Sequence, residues 1–333
     1  MRYTYLNNMD LRVSQICLGT AEFGSSLNKQ RAFDILDEFV YWGGNFIDTA
    51  NIYGKWLSNK VNCSERIIGE WIKERRNYDS IVVITKGGHY CFDDINKSRI
   101  NQDNIGKDIK ESLKSLNIDC IPLYLLHRDD KNKPIEEIID ILLHYQKLGM
   151  IRYFGLSNYS VDRLETARKY LYSKSRNNKL VVSNYWSFAN KNDVIFEDKT
   201  LVTMNSYEYQ WHCFYNIPLL PYSAAAQGFY DKLYKSGLVV KDGEIISFGK
   251  VFTQVPSKMM ELYWNKENLK KYEFLVNLHK CTGNSIHTLS IAQLLQQPFQ
   301  VIPICSAYNK NQLSEIMKID TVKFEKYKWE IGK

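Results

Sequence analysis

The chain contains 333 residues, of which 44% are hydrophobic and 24% are charged. This composition excludes a disordered or fibrous protein and supplies enough apolar residues for a sizeable core. No run approaches the roughly 18 to 20 uninterrupted apolar residues of a membrane-spanning helix, and the first residues lack the apolar run of a signal peptide. We therefore predict a cytoplasmic protein with no membrane partner.

Charge and cysteine content indicate no special partner. Lys and Arg number 44 against 37 Asp and Glu, an excess spread along the chain apart from the basic, aromatic tail 323–333. Such an excess suits a phosphate-bearing small molecule as well as nucleic acid, so it does not decide between them. We interpret the tail as a solvated segment that closes over the fold, and we expect no nucleic-acid partner. The seven cysteines form no Cys-x-x-Cys pair, which favours reduced thiols and predicts no metal site.

Short apolar runs alternate with helical patterns along the chain. The predicted strands are 15–18, 46–47, 81–84, 123–126, 151–155, 180–182, 217–220 and 301–304, and the predicted helices are 29–42, 64–75, 103–116, 135–148 and 161–172. Eight strands that alternate with helices predict an α/β fold, the (β/α)8 TIM barrel, as one domain over residues 1–333. Residues 3–5 and 12–13 are predicted to form an N-terminal β-hairpin, and 230–266 a long loop over the barrel mouth.

In such a barrel the reactive side chains follow the carboxyl ends of the strands. There the sequence places Asp48, Tyr53, Lys86 and His127. Each alone has a structural explanation: a turn cap, a core tyrosine, a lysine that extends to solvent, or a histidine bonded to a carbonyl. On three consecutive strands they indicate a site. Because a nearby ammonium lowers the pKa of a phenol, and a carboxylate fixes that ammonium, Tyr53 is predicted to be a proton donor.

Six short motifs carry a resemblance to a known family. They are LGT at 18–20, FIDTANIYG at 46–54, SERIIG at 64–69, TK at 85–86, LHRD at 126–129 and GLSN at 155–158. In this order they resemble the aldo-keto reductase superfamily over nearly the whole chain. The resemblance implies that Tyr53 is the general acid, that Lys86 modulates its pKa, that Asp48 pairs with Lys86, and that His127 orients the substrate carbonyl.

The resemblance also implies a nicotinamide cofactor, NADPH or NADP+, held across the barrel mouth. No Gly-x-Gly-x-x-Gly sequence follows a strand, so a Rossmann domain is not indicated. Ser157 and Asn158 match the residues that bond the carboxamide, and Tyr222 matches the aromatic that stacks on the nicotinamide. The other implied cofactor contacts are Thr20, Asp48, Ser183, Ser223, Ala224, Gln227, Gly228, Ser306, Lys310, Gln312 and Glu315.

Three positions depart from the family pattern. Ser183 stands where many relatives have Gln, Ser306 where they often have Gly, and Tyr308 where an Arg often meets the 2′-phosphate of NADP. Lys310 is the nearby cation, so we predict a preference for NADPH with NADH also accepted.

The substrate implied is a small-molecule carbonyl compound, and its surroundings are only partly defined. Trp56 lies close to Tyr53 in sequence and either lines the substrate site or packs structurally. His89 is interpreted as structural. The sequence thus predicts a carbonyl reductase that interconverts an aldehyde or ketone, such as a sugar or aryl aldehyde, with an alcohol. The alternatives are a cofactor-binding regulatory subunit with negligible turnover, and a barrel hydrolase that pairs His127 with Asp129.

Overall fold

The structure is a computed structural model that describes residues 1–57, 61–95, 97–175, 180–193, 198–322 and 329. Of the predicted tail 323–333, only Trp329 lies within the described residues. Its ring packs edge-on against Phe188 and Phe274.

Seven parallel strands form the main sheet. In chain order the strands are β1 (Tyr3–Tyr5), β2 (Arg12–Ser14), β3 (Cys17–Gly19), β4 (Phe46–Asp48), β5 (Val82–Gly87), β6 (Ile121–Leu126), β7 (Ile151–Ser157), β8 (Leu180–Ser183), β9 (Val239–Lys241), β10 (Glu244–Ser247) and β11 (Ile304–Cys305). The main sheet has the order β11-β3-β4-β5-β6-β7-β8, and β1-β2 and β9-β10 are antiparallel hairpins. The predicted α/β barrel and the N-terminal hairpin are therefore confirmed.

The ring closes through a segment that is too irregular to count as a strand. Leu219 forms parallel bridges to Val182 on one side and to Val301 on the other. The sequence predicted a full strand over 217–220, but Pro218 and Pro221 flank this position and lack the N–H that a ladder needs. Pro303 similarly shifts the last strand from the predicted 301–304 to Ile304–Cys305.

Helices cover the outside of the sheet. They are α1 (Lys29–Tyr41), α2 (Cys63–Arg75), α3 (Gln102–Leu116), α4 (Ile135–Lys147), α5 (Val161–Ser175), α6 (Ser206–Tyr215), α7 (Phe229–Lys235), α8 (Val251–Gln254), α9 (Ser257–Tyr263), α10 (Lys266–Thr282), α11 (Ile286–Leu294) and α12 (Lys310–Met317). An asparagine occupies the N-cap position of several of these helices. The side chain of Asn101, for example, accepts a hydrogen bond from the amide of Asn104, a cap worth about 1 kcal/mol. Within the described residues, no helix has the length and apolar character needed to cross a membrane.

The N-terminal hairpin closes the bottom of the barrel. Leu6, Leu11 and Val13 are buried in one cluster with the inward-facing residues of the strands, among them Phe46 and Leu123. Each such side chain contributes about 1.5 to 3 kcal/mol on burial. The bottom of the barrel is therefore filled by apolar side chains, and the mouth is the end that carries polar groups.

The segment predicted as a loop over the mouth is folded. Between α7 and α10 it contains the β9-β10 hairpin and helices α8 and α9. It reaches the mouth where the hydroxyl of Tyr263 contacts the hydroxyl of Tyr185, two residues after β8. The amide of Asn192 also donates to the carbonyl of Leu262 at 2.8 Å. These contacts fix the loop after β8 against this segment.

Candidate active site

Three of the predicted side chains meet where β4 and β5 end. Asp48 ends β4, and Lys86 lies one residue before the end of β5. Lys86 Nζ donates to Asp48 Oδ1 at 2.5 Å and to the carbonyl of Thr49 at 3.0 Å. The same nitrogen lies 3.3 Å from the hydroxyl oxygen of Tyr53. One ammonium group therefore links the carboxylate and the phenol.

The turn after β4 brings Tyr53 to this position. The amide of Asn51 donates to the carbonyl of Lys86 at 2.9 Å, which attaches the turn to β5. Gly54 follows Tyr53 with φ +98°, and a Cβ there would lie 2.8 Å from the carbonyl oxygen of Val61. Only glycine fits this backbone, because the conformation and the space both exclude a side chain. Gly54 thus sets the direction of Tyr53.

Burial and the neighbouring charges together set the protonation of Lys86 and Tyr53. Burial lowers the pKa of Lys86, but Asp48 and Tyr53 outweigh it and hold the ammonium pKa above its ordinary value. Burial raises the pKa of Tyr53, and the opposing charge of Lys86 is the smaller effect. The expectation of a lowered phenol pKa is therefore wrong in its net direction, although Lys86 acts as expected. A phenol with a raised pKa carries its proton at neutral pH.

His127 lies beside Tyr53. Its amide donates to the carbonyl of Gly87 at 2.8 Å, and its ring is edge-on to the ring of Tyr53, with centroids 5.9 Å apart. Burial, together with the charges of Arg128 and His89, holds the pKa of His127 well below 6.5. The imidazole is therefore neutral at pH 7. Its buried Nδ1 has no hydrogen-bond partner among the residues that the structure describes.

A layer of hydroxyls and one carboxyl supports the reactive groups from below. Thr20 Oγ1 donates to the carbonyl of Asp48 at 2.8 Å and lies 2.8 Å from Ser64 Oγ. Thr20, predicted to contact the cofactor, is 1% exposed and engaged in this network. Glu65 accepts from Thr85 at 2.6 Å, next to Lys86 in β5. Burial raises the pKa of Glu65 to about 7, against the hydrogen bonds that lower it.

The predicted carboxamide contacts lie side by side at the ends of β7 and β8. Ser157 Oγ donates to the carbonyl of Ser183 at 2.7 Å, and Asn158 Nδ2 donates to the carbonyl of His127 at 3.1 Å. Tyr222 OH donates to Asn158 Oδ1 at 2.5 Å. The buried Ser183 Oγ has no partner within the described part of the chain. A buried hydroxyl without a partner fits a polar group of a bound ligand, such as the carboxamide of nicotinamide.

The segment predicted to follow the pyrophosphate has an unusual backbone. Ser223, Ala226 and Gln227 have φ angles of 57°, 47° and 55°, in the left-handed region, and Gly228 follows with φ 78°. Each non-glycine residue held this way costs about 1 to 3 kcal/mol, and such strain clusters at ligand-binding segments. Ala224 is buried within the same segment. Lys232, which no sequence motif marks, donates from Nζ to the carbonyl of Gln227 at 2.5 Å and brings a cation to this segment.

The predicted adenosine contacts lie around the start of α12. Lys310 begins this helix, and its Nζ lies 3.8 Å from Glu38 Oε2 on α1. Gln312 Oε1 accepts from the amide of Tyr308 at 2.8 Å, while Glu315 lies one turn further along. The cation near the expected 2′-phosphate is thus half-exposed and shared with a carboxylate.

The unusual Ser306 is accommodated by Gly19. A Cβ at position 19 would lie 2.7 Å from Ser306 Oγ and 3.1 Å from a methyl carbon of Ile304. Gly19 belongs to the LGT motif, so the space that it leaves accepts the serine that this chain has after β11. The exposed Ser306 stays at the mouth beside the predicted cofactor path.

Of two residues predicted to neighbour the reactive groups, Trp56 lies beside Tyr53 as expected, whereas Asp129 has another partner than His127. Asp129, the proposed partner of His127 in a hydrolase, accepts from Arg163 Nε at 3.0 Å and from its Nη2 at 2.7 Å. Its carboxylate is therefore occupied by a guanidinium, which removes support for the hydrolase. Trp56 is 42% exposed, with its ring edge-on to Tyr53 at 6.2 Å.

His89, Arg128 and Asp198 also belong to the mouth, although none of them was predicted to be a site residue. The ring of His89 is 4.9 Å from that of His127, although His89 was interpreted as structural. Arg128 and Asp198 form an ion pair of 2.8 Å beside these rings. Arg128 lay within the LHRD motif, which could have indicated it. Asp198 is 70 positions away, and no local pattern marks it.

Comparisons with known proteins agree with this geometry. A sequence model described as the Aldo/keto reductase family matches residues 15–331. The chain is 36% identical over 165 residues to an uncharacterized oxidoreductase, YrpG, of Bacillus subtilis, which is 48% of this chain and 50% of that protein. It is 28% identical over 307 residues to norsolorinic acid reductase B of Dothistroma septosporum, covering 88% of this chain and 71% of the relative.

The matched segments span about half of most of these relatives, such as the 49% of norsolorinic acid reductase B from Aspergillus parasiticus. Among solved structures, the thermostable aldo-keto reductase Tm1743 in complex with the inhibitor epalrestat superimposes with a TM-score of 0.68. That comparison covers 98% of this chain and 96% of the other at 21% identity, and it shows the shared fold. Because the family model extends over nearly the whole sequence, the chain belongs to the aldo/keto reductase family.

Proposed function

We propose that this chain is a single-domain, NADPH-dependent carbonyl reductase that interconverts an aldehyde or ketone with the corresponding alcohol. The observation that carries the proposal is the buried Lys86 ammonium between Asp48 and Tyr53, with neutral His127 alongside. This arrangement holds a proton on a phenol and a cation next to it, which is what protonation of a carbonyl oxygen requires.

The bound cofactor would supply a hydride to the carbonyl carbon. The proton taken up by the carbonyl oxygen comes from Tyr53, whose raised pKa keeps the hydroxyl protonated beforehand. Lys86 Nζ, 3.3 Å away, stabilises the phenolate that remains. His127 is neutral and donates one hydrogen bond to the same carbonyl oxygen, which orients the carbon toward the cofactor. The same groups act in reverse when an alcohol is oxidised.

The cofactor site uses the residues described at the mouth. Ser157, Asn158 and Ser183 would hold the carboxamide, since Ser183 Oγ is the buried hydroxyl without a partner. Tyr222 would stack on the nicotinamide, and Ser223, Ala224, Gln227 and Gly228 would line the pyrophosphate. Ser306, Lys310, Gln312 and Glu315 would hold the adenosine end.

A panel of aliphatic, sugar and aryl aldehydes tests the proposal. Loss of nicotinamide absorbance is measured with NADPH and with NADH, and cofactor binding is measured separately by fluorescence quenching. We expect turnover with at least one activated aldehyde, since aromatic side chains such as Trp56 and Tyr90 surround the mouth. A preparation that binds NADPH and turns over no member of the panel would indicate a regulatory subunit instead.

The preference for NADPH is tested at Lys310. Its ammonium provides a point charge and no bidentate fork, so we expect a preference smaller than an arginine would give. Lys310→Met should raise the KM for NADPH by about tenfold, the loss of roughly 1.4 kcal/mol, and leave the KM for NADH nearly unchanged. Equal changes for both cofactors would show that Lys310 does not contact the 2′-phosphate.

A further inference from the structure

The carboxylate of Asp198 lies at the mouth and is bound by Arg128 and Tyr90. Asp198 Oδ2 accepts from Arg128 Nη2 at 2.8 Å and from the hydroxyl of Tyr90 at 2.9 Å. Its other oxygen accepts from the amide of Thr200 at 2.9 Å. Burial raises the pKa of Asp198, but the Thr200 hydroxyl and the charge of Arg128 outweigh it and lower the pKa to about 2. The pocket around Arg128 therefore accepts an ionised carboxylate.

This carboxylate lies close to the proposed catalytic groups. Arg128 follows His127 directly, and its Nη1 donates to the carbonyl of His127 at 2.8 Å. The ring of His89 connects the two places, with its centroid 4.9 Å from that of His127 and 4.1 Å from that of Tyr90. One ring thus separates the residue that orients the carbonyl from the tyrosine that binds the carboxylate. A small molecule can span this distance.

The guanidinium of Arg128 is only partly used by Asp198. Arg128 is 8% exposed, and its buried Nε has no hydrogen-bond partner among the described residues. Elsewhere in the chain, Arg163 pairs with Asp129 through both Nε and Nη2. Such bidentate pairs are stronger than a single contact and fix the carboxylate plane. A carboxylate that replaces Asp198 can gain the Nε bond that Asp198 does not make.

A cavity of about 340 Å³ adjoins Arg128, Tyr90 and Asn158. Lys97, Lys131 and Lys199 line it, are exposed, and have no ion-pair partner among the described residues. The charged residues that line the cavity, taken together with their ion-pair partners, are six cations and four carboxylates among the described residues. The cations are Lys97, Arg99, Arg128, Lys131, Arg163 and Lys199, and the carboxylates are Asp108, Asp129, Asp130 and Asp198. The excess positive charge attracts anions into the cavity.

We propose that Arg128 and Tyr90 form a carboxylate-recognition subsite, so that the substrates of this reductase are aldehydes or ketones that also carry a carboxylate. Asp198 occupies the subsite until the substrate carboxylate displaces it. This inference rests on the proposed reductase function and adds the substrate class. Arg128 is thus a specificity residue, while Tyr53, Lys86 and His127 perform the reaction.

A matched pair of aldehydes tests the subsite. 4-Carboxybenzaldehyde carries the anion, and its methyl ester, methyl 4-formylbenzoate, has the same ring and aldehyde without the charge. We expect the wild-type kcat/KM for the acid to exceed that for the ester by about 10- to 100-fold, the range of a charged hydrogen bond. Arg128→Met should bring this ratio to about 1, mainly through the KM of the acid, and Arg128→Lys should retain part of it.

Other variants separate recognition from folding. Tyr90→Phe removes one hydroxyl and should lower the acid-to-ester ratio several-fold. Asp198→Asn removes the competing carboxylate and should raise the ratio through a lower KM for the acid. Lys169→Met, at an exposed lysine of α5, removes a charge elsewhere and should leave the ratio unchanged. The ester serves as an internal control in every variant, because a general loss of structure lowers the kcat/KM of both substrates and leaves their ratio unchanged.

The outcomes distinguish the subsite from the activity itself. If the wild type reduces the ester as fast as the acid, the subsite is disproved while the reductase function stands. An unchanged ratio in Arg128→Met would also overturn the subsite. If neither aldehyde is reduced, nor any member of the wider panel, the proposed function fails and the inference fails with it.

Discussion

The two ends of the barrel hold ion pairs under opposite conditions. At the mouth, the side chains of Lys86 and Asp48 are 3% and 4% exposed. At the bottom, Arg152 pairs with Asp10 while their side chains are 49% and 61% exposed. Asp10 also accepts from the hydroxyl of Tyr153, a residue of the interior cluster. Both pairs join a cation to a carboxylate, and only the first lies out of contact with water.

This difference determines what each pair can do. Burial of two charges costs several kcal/mol, and close contact offsets that cost only when both partners are present. The mouth pair therefore holds a buried ammonium next to Tyr53, as the proposed proton transfer requires. In water the bottom pair gains little, typically about 0 to 1 kcal/mol, and attaches the hairpin to β7. The buried pair can therefore take part in chemistry, whereas the exposed pair contributes only weakly to stability.

The largest expected effect is the loss of the proton at the mouth. Tyr53→Phe removes the hydroxyl and little volume, so carbonyl reduction should fall by about 10² to 10⁴-fold, the usual contribution of general acid catalysis. Cofactor affinity, measured by fluorescence quenching on the same sample, should stay nearly unchanged, because the proposed contacts lie on β7, β8 and later segments. If the sample keeps most of its turnover, the proton comes from elsewhere, with His127 the next candidate.

Removing one partner of the buried pair should also destabilise the fold. In Lys86→Met the free energy of unfolding should fall by about 3 to 5 kcal/mol near neutral pH, because Asp48 is left buried without its cation. Burial raises the pKa of Asp48, so the loss should shrink as pH falls and the carboxyl takes up a proton. Urea unfolding of the wild type and the variant, from neutral to acidic pH, measures this loss of stability.

The double variant Asp48→Asn, Lys86→Met provides the control for that measurement. It removes both charges and should recover much of the lost stability, although it stays inactive. A single variant that loses less than about 1 kcal/mol would show that the buried pair behaves like an exposed one.

A third prediction concerns Glu65, a buried carboxyl without an ion-pair partner at hydrogen-bond distance among the described residues. Its pKa is raised from 4.5 to about 7 by burial. Its folded form binds a proton more tightly than its unfolded form, so its contribution to stability decreases as pH rises from about 4.5 to about 7 and is constant above. The decrease amounts to about 3 kcal/mol at 1.36 kcal/mol per pKa unit.

Glu65→Gln should remove this dependence and make the protein more stable than the wild type at pH 8. The introduced amide can keep its oxygen toward Asn62 Nδ2, which donates to Glu65 Oε2 at 2.6 Å, and place its nitrogen toward the hydroxyl of Thr85, which can accept. Unfolding free energies at acidic and alkaline pH, compared between the two proteins, measure the effect. An identical pH dependence in both would mean that Glu65 does not titrate in this range.

The sequence predicted which reactive side chains meet at the mouth, but it did not predict the loop contacts around them or the direction of the Tyr53 pKa. Asp48, Tyr53 and Lys86 lie at or just after strand ends, so the parallel sheet brings them together whatever the loops do. Asp198 meets Arg128 and Tyr90 only through a loop contact across 70 and 108 positions, which periodicity does not encode. The direction of the Tyr53 pKa failed because burial, invisible in sequence, exceeds the effect of Lys86.

The smallest expected effect is at the bottom of the barrel. Arg152→Met removes the cation of the exposed pair, and Asp10 keeps the hydrogen bond from Tyr153, which is the main cause of its lowered pKa. The free energy of unfolding should therefore fall by at most about 1 kcal/mol. The loss should shrink further in about 1 M salt, where the screening length is roughly 3 Å. Urea unfolding of wild type and variant at low and high salt measures both effects. A loss above about 2 kcal/mol, or one that salt does not change, would show that the bottom pair acts as a buried one and that exposure does not separate the two ends.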